Sequence, residues 1–264
     1  MIEVMPNFFI VGAGKAGTTS LYSYLRRHPD VYMSPIKEPH WFSTVKPHPE
    51  QKAYAVTSEK EYLDLFKGWR GEKAIGEAST SYLWDDEEPA RIRHNVPDAK
   101  IIVVLRELVS PASSHYLMGT RVGIQELPFY EAIKEDYEKL EKGWYISHLY
   151  VELGMNCEQI SRFLDWFDRE RLLMMFFEDV ISDTDAALTS VASFVEIDTD
   201  AAYGGQTFEK QNPHATPRIG ILRPALDNEG IRRLGQRLLP GDLSTRPIVT
   251  SRTRDDAIHW LQAR

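Results

Sequence analysis

The sequence predicts an α/β fold in three layers, with a mainly parallel central sheet flanked by helices. Short apolar runs alternate along the chain with longer amphipathic stretches, a pattern typical of strands and their covering helices. The strongest run, residues 101–105, contains only Ile, Val and Leu, so we expect a central strand covered on both faces. A glycine-rich turn follows the first apolar run directly.

Five apolar segments are predicted strands, in chain order residues 8–11, 31–33, 73–76, 101–105 and 172–177. The first connecting helix follows from Thr18, Leu21 and Leu25, which recur at helical spacing. The pair His28-Pro29 is expected to end that helix, since proline cannot continue it.

The later helices are predicted from capping residues and amphipathic spacing. Ser110 and Pro111 are the expected N-cap and first residue of the helix after the fourth strand. Further helices are predicted at 128–142, at 156–167, from Asp179 onward and at 255–264. Residues 198–218 are polar and rich in Gly and Pro, so they predict a long loop. No repeat or linker divides the chain, which predicts one domain over 1–264.

Composition and charge exclude several classes of function. The 264 residues include 31 Lys+Arg and 39 Asp+Glu, for a net charge of −8, and 42% are hydrophobic, as in ordinary soluble proteins. Because no basic tail or Lys/Arg run occurs, neither nucleic acid nor an anionic membrane is an expected partner, and any anion site must be local. A lone cysteine, Cys157, excludes an internal disulfide and multi-cysteine metal sites.

Targeting and metal-binding signals are also missing from the sequence. No apolar run approaches the roughly 20 residues of a membrane span. The N-terminus lacks the basic region of a signal peptide, so we expect a cytoplasmic protein with no membrane span. The 8 histidines are scattered and H-E-x-x-H does not occur, so no metal is expected.

The segment 8–21 carries the clearest chemical signal. A buried strand, a glycine-rich turn and a helix start form a cradle in which backbone N–H groups and the positive helix end face an anion. The candidate anion-binding residues are Gly14, Lys15, Ala16, Gly17, Thr18, Thr19 and Ser20. A plain strand-to-helix turn with capping hydroxyls is the structural alternative, but it needs neither the glycines nor an embedded lysine.

Two common phosphate-binding patterns come close to this segment without fitting it. Gly12, Gly14 and Gly17 match the dinucleotide fingerprint G-x-G-x-x-G. Glu38 lies at a suitable distance for the ribose-binding acid, but residues 34–37 separate it from the second strand. The Walker pattern requires Lys directly after the last glycine, where this chain has Thr18.

Three alternative functions therefore stay open on these residues. A P-loop small-molecule kinase would need Mg²⁺ and an acidic residue ending a neighbouring strand, for which Glu77 and Glu178 are candidates. A dinucleotide-dependent oxidoreductase would show itself by cofactor fluorescence on titration. A non-catalytic nucleotide-binding module would differ from an enzyme by lack of turnover.

Several motifs recur in a fixed order along the chain. They are 15–21 in the glycine-rich turn, Lys37-Glu38-Pro39-His40-Trp41-Phe42, Gly76-Glu77-Ala78-Ser79 with Tyr82, Leu105-Arg106 with Ser114-His115-Tyr116, and Phe177-Glu178-Asp179. Together they resemble the sulfotransferases that use 3′-phosphoadenosine 5′-phosphosulfate (PAPS), most closely the branch of heparan-type and bacterial sulfotransferases. The resemblance runs from residue 8 to about 197, and 212–218 resemble the loop that closes over the donor nucleotide.

The resemblance implies the P-loop-like sulfotransferase fold and transfer of a sulfuryl group from PAPS to an acceptor hydroxyl, leaving adenosine 3′,5′-bisphosphate. In-line displacement is expected by analogy with phosphoryl transfer. The implied catalytic residues are Lys15, which offsets charge on the leaving phosphate oxygen, Glu38 as general base, and His40. The implied donor contacts are the turn residues 14–20 with Arg106, Ser114 and Arg218. The implied acceptor contacts are Trp41, Phe42, Tyr82 and His115, and no metal is implied.

Each implied role has an ordinary structural alternative. Glu38 is alternatively a solvated glutamate paired with Lys37, and Arg106 a salt-bridged surface arginine. Aromatic residues pack cores more often than they line sites. The acceptor can be a glycan, a lipid or a small natural product, and the oligomeric state is not indicated.

The chain also departs from the family pattern. The family usually has Pro two residues after the strand-end Arg and a second Arg three residues later, where this chain has Leu108 and Pro111. Asn156 stands where many relatives have Tyr, and the C-terminal disulfide of the heparan branch is impossible with one cysteine. One expected basic contact is therefore missing.

Overall fold

Five parallel strands form the centre of the computed structural model, which describes residues 4–44, 56–107, 109–122, 124–142 and 148–199. The strands are β1 (Phe8–Gly12), β2 (Val31–Met33), β3 (Ala74–Ala78), β4 (Lys100–Leu105) and β5 (Leu172–Phe176). The predicted α/β fold with a mainly parallel sheet is therefore confirmed, and each predicted strand lies within two residues of an observed one.

The strand order is β2-β3-β1-β4-β5, so β1 lies between β3 and β4. Phe8 is in register with Gly76 on one side and with Lys100 on the other. From β1 the chain continues to β2 on one side of the sheet, whereas from β4 it continues to β5 on the opposite side. In open parallel sheets, ligands bind outside the carboxyl ends of the strands at such a switch point. The turn after β1 and the residue after β4 lie at that edge.

The described helices are α1 (Thr18–Leu25), α2 (Glu59–Asp64), α3 (Ser81–Trp84), α4 (Glu88–Asn95), α5 (Val109–Val122), α6 (Phe129–Glu138), α7 (Asn156–Leu164), α8 (Phe177–Ser182) and α9 (Thr184–Phe194). Consecutive residues of β1 from Phe8 to Val11 are all fully buried, although they point alternately to opposite faces. Both faces of the sheet are therefore covered at β1, where α1 and α3 pack.

Several helix predictions differ from the structure, and those at 128–142 and 156–167 extend past the observed ends at Glu138 and Leu164. Helix α5 begins at Val109. Its first N–H groups donate hydrogen bonds to the Glu107 carboxylate and not to the predicted N-cap Ser110. Glu107 Oε2 accepts from the Val109 N–H and Oε1 from the Ser110 N–H, both at 2.9 Å. The single helix predicted from Asp179 onward is two helices, because the Asp183 side chain accepts the Ala186 N–H at 3.0 Å and starts α9.

The chain divides into two compact units, Met1–Arg106 with Met155–Gln211, and Glu107–Gly154 with Asn212–Arg264. The first unit contains the sheet and its core. The described part of the second contains α5 and α6, packed around a small cluster that includes Tyr116, Phe129 and Tyr150. The predictions of one domain over 1–264 and of a terminal helix at 255–264 stay predictions, since residues 200–264 lie outside the described part of the chain.

Candidate active site at the carboxyl edge of the sheet

The turn between β1 and α1 has the backbone of an anion-binding loop. Gly17 is the N-cap of α1 and adopts the left-handed conformation, with φ 82°, that glycine allows at little cost. Within the described ranges, the backbone N–H groups of Gly14, Gly17, Thr18 and Thr19 donate no hydrogen bond. These N–H groups lie at the positive end of α1, so the turn can receive a phosphate or sulfate group.

Lys15 lies in the middle of this turn, in the left-handed region at φ 65°, and its side chain is partly exposed. The neighbouring residues Gly14 and Ala16 are buried, as are Thr18 and Ser20. The structure therefore groups all seven predicted anion-binding residues in one turn. Their contact with a donor stays a prediction.

Glu38 lies beside the end of β3, the strand adjacent to β1. Its main-chain N–H donates to the Ala78 oxygen at 2.8 Å, and its Oε2 accepts the Thr80 N–H at 2.7 Å. The Lys37 ammonium donates to Oε1, so the predicted pairing of these two residues is present. The Glu38 side chain is 28% exposed, which leaves it within reach of an acceptor as well.

The charge state of Glu38 is set by opposing effects. Burial raises the pKa of Glu38, but the Lys37 ammonium, the His40 imidazole and the hydrogen bonds from Lys37 and Thr80 outweigh burial. The net pKa of Glu38 lies below its ordinary value. The carboxylate is therefore ionised at neutral pH and can accept a proton.

His40 lies against Glu38 and is held at three points. Its Nε2 lies 3.6 Å from Glu38 Oε2, its Nδ1 is 2.7 Å from Ser81 Oγ, and its main-chain N–H donates to Ser79 Oγ at 3.1 Å. Burial lowers the pKa of His40, and the Glu38 carboxylate opposes that shift only in part. The imidazole is thus biased towards its neutral form beside the ionised Glu38.

The backbone of this loop is unusual, since Glu38 and His40 both have positive φ values, 64° and 52°. Side chains with a Cβ rarely adopt this region, and such conformations concentrate at functional sites. The hydrogen bonds to Ala78, Ser79 and Thr80 hold the loop in it.

The predicted acceptor aromatics differ in exposure. Trp41 is partly exposed and stacks on Tyr62, with ring centroids 5.4 Å apart and planes 16° apart. Phe42 and Tyr82 are 3% and 0% exposed and pack against each other in the core. In this conformation Trp41 is therefore better placed than Phe42 or Tyr82 to meet an acceptor.

Glu77, near the carboxyl end of β3, was predicted only as part of a motif and as a candidate Mg²⁺ ligand of the kinase alternative, and its contacts indicate a different role. Its side chain is fully buried and accepts hydroxyl hydrogen bonds from Ser79 at 2.6 Å, Tyr62 at 2.8 Å and Tyr82 at 3.1 Å. Burial raises the pKa of Glu77 to about 7, and the hydroxyls limit the shift. The available signal was a charged residue inside an apolar strand segment.

Arg106 follows β4 and connects three parts of the unit. Its Nη1 donates to the Lys15 oxygen at 3.1 Å, and its guanidinium lies 4.2 Å from the Phe177 ring centroid. Its Nε lies 3.9 Å from Glu178 Oε1, a long ion pair. Arg106 therefore contacts the turn after β1 and has a surface ion pair as a lesser contact, and its predicted role in donor binding stays a prediction.

The remaining predicted residues lie in the second unit or outside the described ranges. Ser114 and His115 lie on α5 of the second unit, where the His115 ring is 5.4 Å from Tyr150 and 6.2 Å from His148, centroid to centroid. Arg218 lies outside the described residues, as does Leu108. The roles of these residues stay predictions.

The described ranges contain neither a metal-binding cluster nor a membrane-spanning helix. No group of three or more His, Cys, Asp or Glu side chains there is placed to hold a metal ion. No helix among these residues has the length and apolar character needed to cross a bilayer.

Comparison with known proteins gives concordant results. Residues 5–214 match the family model described as the sulfotransferase domain. The chain is 28% identical to human carbohydrate sulfotransferase 15, over 87% of this chain and 49% of that protein. It is 27% identical to human heparan sulfate glucosamine 3-O-sulfotransferase 3B1, over 90% of this chain and 62% of that protein. A solved sulfotransferase from Alicyclobacillus acidocaldarius is 33% identical, with a TM-score of 0.72, covering 89% of this chain and 94% of that one.

Proposed function

The chain belongs to the sulfotransferase domain family, and from this membership we propose that it transfers a sulfuryl group from PAPS to a hydroxyl of a carbohydrate acceptor. The enzyme class is that of its relatives, whereas donor and acceptor are part of the proposal. The names of the two human relatives, carbohydrate and heparan sulfate glucosamine sulfotransferase, support a carbohydrate acceptor. The chain spans about half the length of the first of these relatives.

One observation carries the proposal: an anion-binding turn and an ionised carboxylate lie at the same edge of the sheet, the turn after β1 and the carboxylate in the loop after β2, beside the end of β3. The turn follows β1, and Glu38 is hydrogen-bonded to Ala78 at the end of β3. Because β3 is the direct neighbour of β1, the loop that pairs with the end of β3 and the turn after β1 lie at the same end of the sheet, as one reaction centre would require.

The turn fits the donor's 5′-phosphosulfate. The N–H groups of Gly14, Gly17, Thr18 and Thr19 would hold its oxygens, and the ammonium of Lys15 would offset charge on the leaving phosphate oxygen. Arg106 would hold the turn through the Lys15 oxygen. When bound, the donor supplies a sulfuryl group with a phosphate as leaving group.

Glu38 would be the general base that accepts the proton of the acceptor hydroxyl. Its lowered pKa keeps it ionised at neutral pH, and the hydrogen bonds from Thr80 and Lys37 fix its orientation. His40, which lies 3.6 Å from Glu38, would steady the carboxylate, and the partly exposed Trp41 would contact the sugar ring. General base catalysis typically contributes about 10² to 10⁴ in rate.

The alternative of a small-molecule kinase gains no support. The family match does not favour it. Glu77, one candidate ligand for Mg²⁺, is fully buried and its oxygens accept three hydroxyl hydrogen bonds.

The test is transfer of radiolabelled sulfate from PAPS to a panel of glycans, lipids and small alcohols. Labelling of glycans, abolished in Lys15→Ala and reduced about 10²-fold or more in Glu38→Gln, is the expected result. Glu59→Gln, which removes an exposed carboxylate on α2, is the matched control and should keep full activity. Labelling of lipids or alcohols but not of glycans would overturn the carbohydrate acceptor. Phosphorylation of an acceptor by ATP, in the absence of any sulfate labelling, would overturn sulfuryl transfer itself.

A further inference from the structure

The buried carboxylate of Glu77 determines the direction of three hydroxyl groups. An ionised carboxylate has no proton to donate, so each neighbouring hydroxyl must point its own proton at it. Ser79 Oγ does so towards Oε1 at 2.6 Å, while the hydroxyls of Tyr62 and Tyr82 do so towards Oε2. The lone pairs of these hydroxyl oxygens can then accept hydrogen bonds from other donors, such as main-chain N–H groups.

Two of the three hydroxyls use those lone pairs to hold the loop of the proposed base. Ser79 Oγ accepts the main-chain N–H of His40 at 3.1 Å. The Tyr82 hydroxyl accepts the main-chain N–H of Phe42 at 3.3 Å. Within the described part of the chain, the Tyr62 hydroxyl accepts no N–H from this loop.

The loop needs such support because of its backbone. Glu38 and His40 both have left-handed φ values, which persist only where the surroundings impose them. The N–H that Ser79 accepts belongs to His40, whose imidazole lies 3.6 Å from the carboxylate of the proposed base Glu38.

We infer that Glu77 is a positioning residue for this reaction. Acting through the hydroxyls of Ser79 and Tyr82, its ionised carboxylate holds the loop that carries Glu38 and His40 in the reactive conformation. The inference rests on the proposed role of Glu38 as general base. Glu77 itself is fully buried and contacts no reacting group.

Protonation of Glu77 would weaken this arrangement. A protonated carboxyl donates from one oxygen, so one of the hydroxyls must turn away and compete for a different partner. Burial raises the pKa of Glu77 to about 7, and the nearby Glu38 carboxylate adds to the shift. The other titratable groups that interact with it are Tyr62 on α2, Tyr82 on α3 and Glu88 on α4. Activity should therefore fall below about pH 7, well above the titration of Glu38.

The first experiment measures kcat and KM of Glu77→Gln between pH 5.5 and 9. The amide has the size of the carboxyl but donates from its nitrogen, so we expect kcat to fall roughly 10- to 100-fold with KM for PAPS little changed. The decrease of kcat below about pH 7 that we expect of the wild type should be absent in this variant. Glu88→Gln is the control, because Glu88 is equally buried and burial raises its pKa well above the ordinary value, but its side-chain partner is Ser43 and not the hydroxyls of Ser79 and Tyr82 that accept the His40 and Phe42 N–H groups. Glu88→Gln should retain the decrease of kcat below about pH 7.

A second pair of variants keeps the inference testable if Glu77→Gln folds poorly. Tyr82→Phe and Tyr62→Phe each remove one hydroxyl from the same Glu77 oxygen, but only the first also removes the acceptor of the Phe42 N–H. We expect a larger loss of kcat in Tyr82→Phe at a similar loss of melting temperature. Equal kcat values in the pair, or a wild-type kcat and pH profile in Glu77→Gln, would overturn the inference. Full activity of Glu38→Gln would instead overturn the proposed base.

Discussion

The guanidinium of Arg106 donates a hydrogen bond of 3.1 Å to the main-chain oxygen of Lys15. The contact joins the residue after β4 to the turn after β1, and these are the two strands on either side of the switch point. The same guanidinium packs on the ring of Phe177 at the start of α8. Arg106 thereby supports the conformation of the turn after β1.

The first prediction concerns this contact. Arg106→Lys keeps a positive charge but loses the planar set of donors, so the turn is held less well and KM for PAPS should rise about tenfold. Arg171→Lys is the control, because Arg171 also donates to a main-chain oxygen, that of Asp98 at 2.7 Å, but at the opposite edge of the sheet. Steady-state kinetics with varied PAPS measures both, and an unchanged KM in Arg106→Lys would remove Arg106 from donor binding.

Nucleotide binding can be tested without turnover. Adenosine 3′,5′-bisphosphate at about 100 times its Kd should raise the melting temperature by roughly 5 to 10 °C, since it binds the folded chain alone. Adenosine 5′-monophosphate, which lacks the 3′-phosphate, should have a much smaller effect, and NAD and ATP a weak one or none. Lys15→Ala should reduce the response. Equal shifts with and without the 3′-phosphate would contradict a PAPS site.

The predicted strands show where sequence reasoning works well. The predicted strand 31–33 coincides with β2, and the predicted strand 101–105 differs from β4 by one residue. Buried runs of β-branched residues bounded by turns leave few alternative structures. The anion-binding turn was equally predictable, since its glycines, lysine and hydroxyls are consecutive in the chain.

The contacts of Glu38 were not predictable in the same way. Its partner Thr80 lies 42 residues further along the chain, and no local pattern relates the two. They meet because β2 pairs with β3 in parallel, which places residues 78–80 beside the loop after β2. That strand order is a property of the whole sheet. The apolar setting of Glu77 hinted at burial, but its three hydroxyl partners come from α2, α3 and the turn before α3.

Stability should depend on pH through Glu77. Burial raises the pKa of Glu77 from an ordinary 4.5 to about 7, so between these values the folded chain keeps a proton that the unfolded chain has lost. Its contribution to the free energy of unfolding is therefore full below the lower value and declines as pH rises towards the upper one. Glu77→Gln cannot ionise and should lack this decline.

Urea unfolding of both proteins between pH 5 and 8 measures the effect. The free energy of unfolding of the wild type, minus that of Glu77→Gln, should decrease with pH by up to about 3 kcal/mol. Glu59→Gln, an exposed carboxylate on the same unit, should show no such trend. A difference that stays constant across this range would mean that Glu77 titrates normally.

The last prediction concerns Gly76, which lies in register with Phe8 on β1 and with Met33 on β2. A Cβ at this position would be 2.5 Å from Met33 Sδ and closer still to Phe8 Cζ, so side chains from both neighbouring strands occupy its place. Gly76→Ala should therefore destabilise the chain by about 3 kcal/mol through overpacking.

Crowding at Gly76 should also affect the proposed reaction, because Gly76 directly precedes Glu77. Any shift of β3 that relieves the clash would move the Glu77 carboxylate away from the hydroxyls of Tyr62 and Ser79. Gly76→Ala should thus lose kcat even at temperatures where it is fully folded. Gly119→Ala is the control, since Gly119 lies in helix α5 with its nearest contact at 3.3 Å, and its stability should stay within about 1 kcal/mol of the wild type. Thermal unfolding and sulfate transfer of both variants decide the point, and a Gly76→Ala protein of normal stability and activity would refute the crowding.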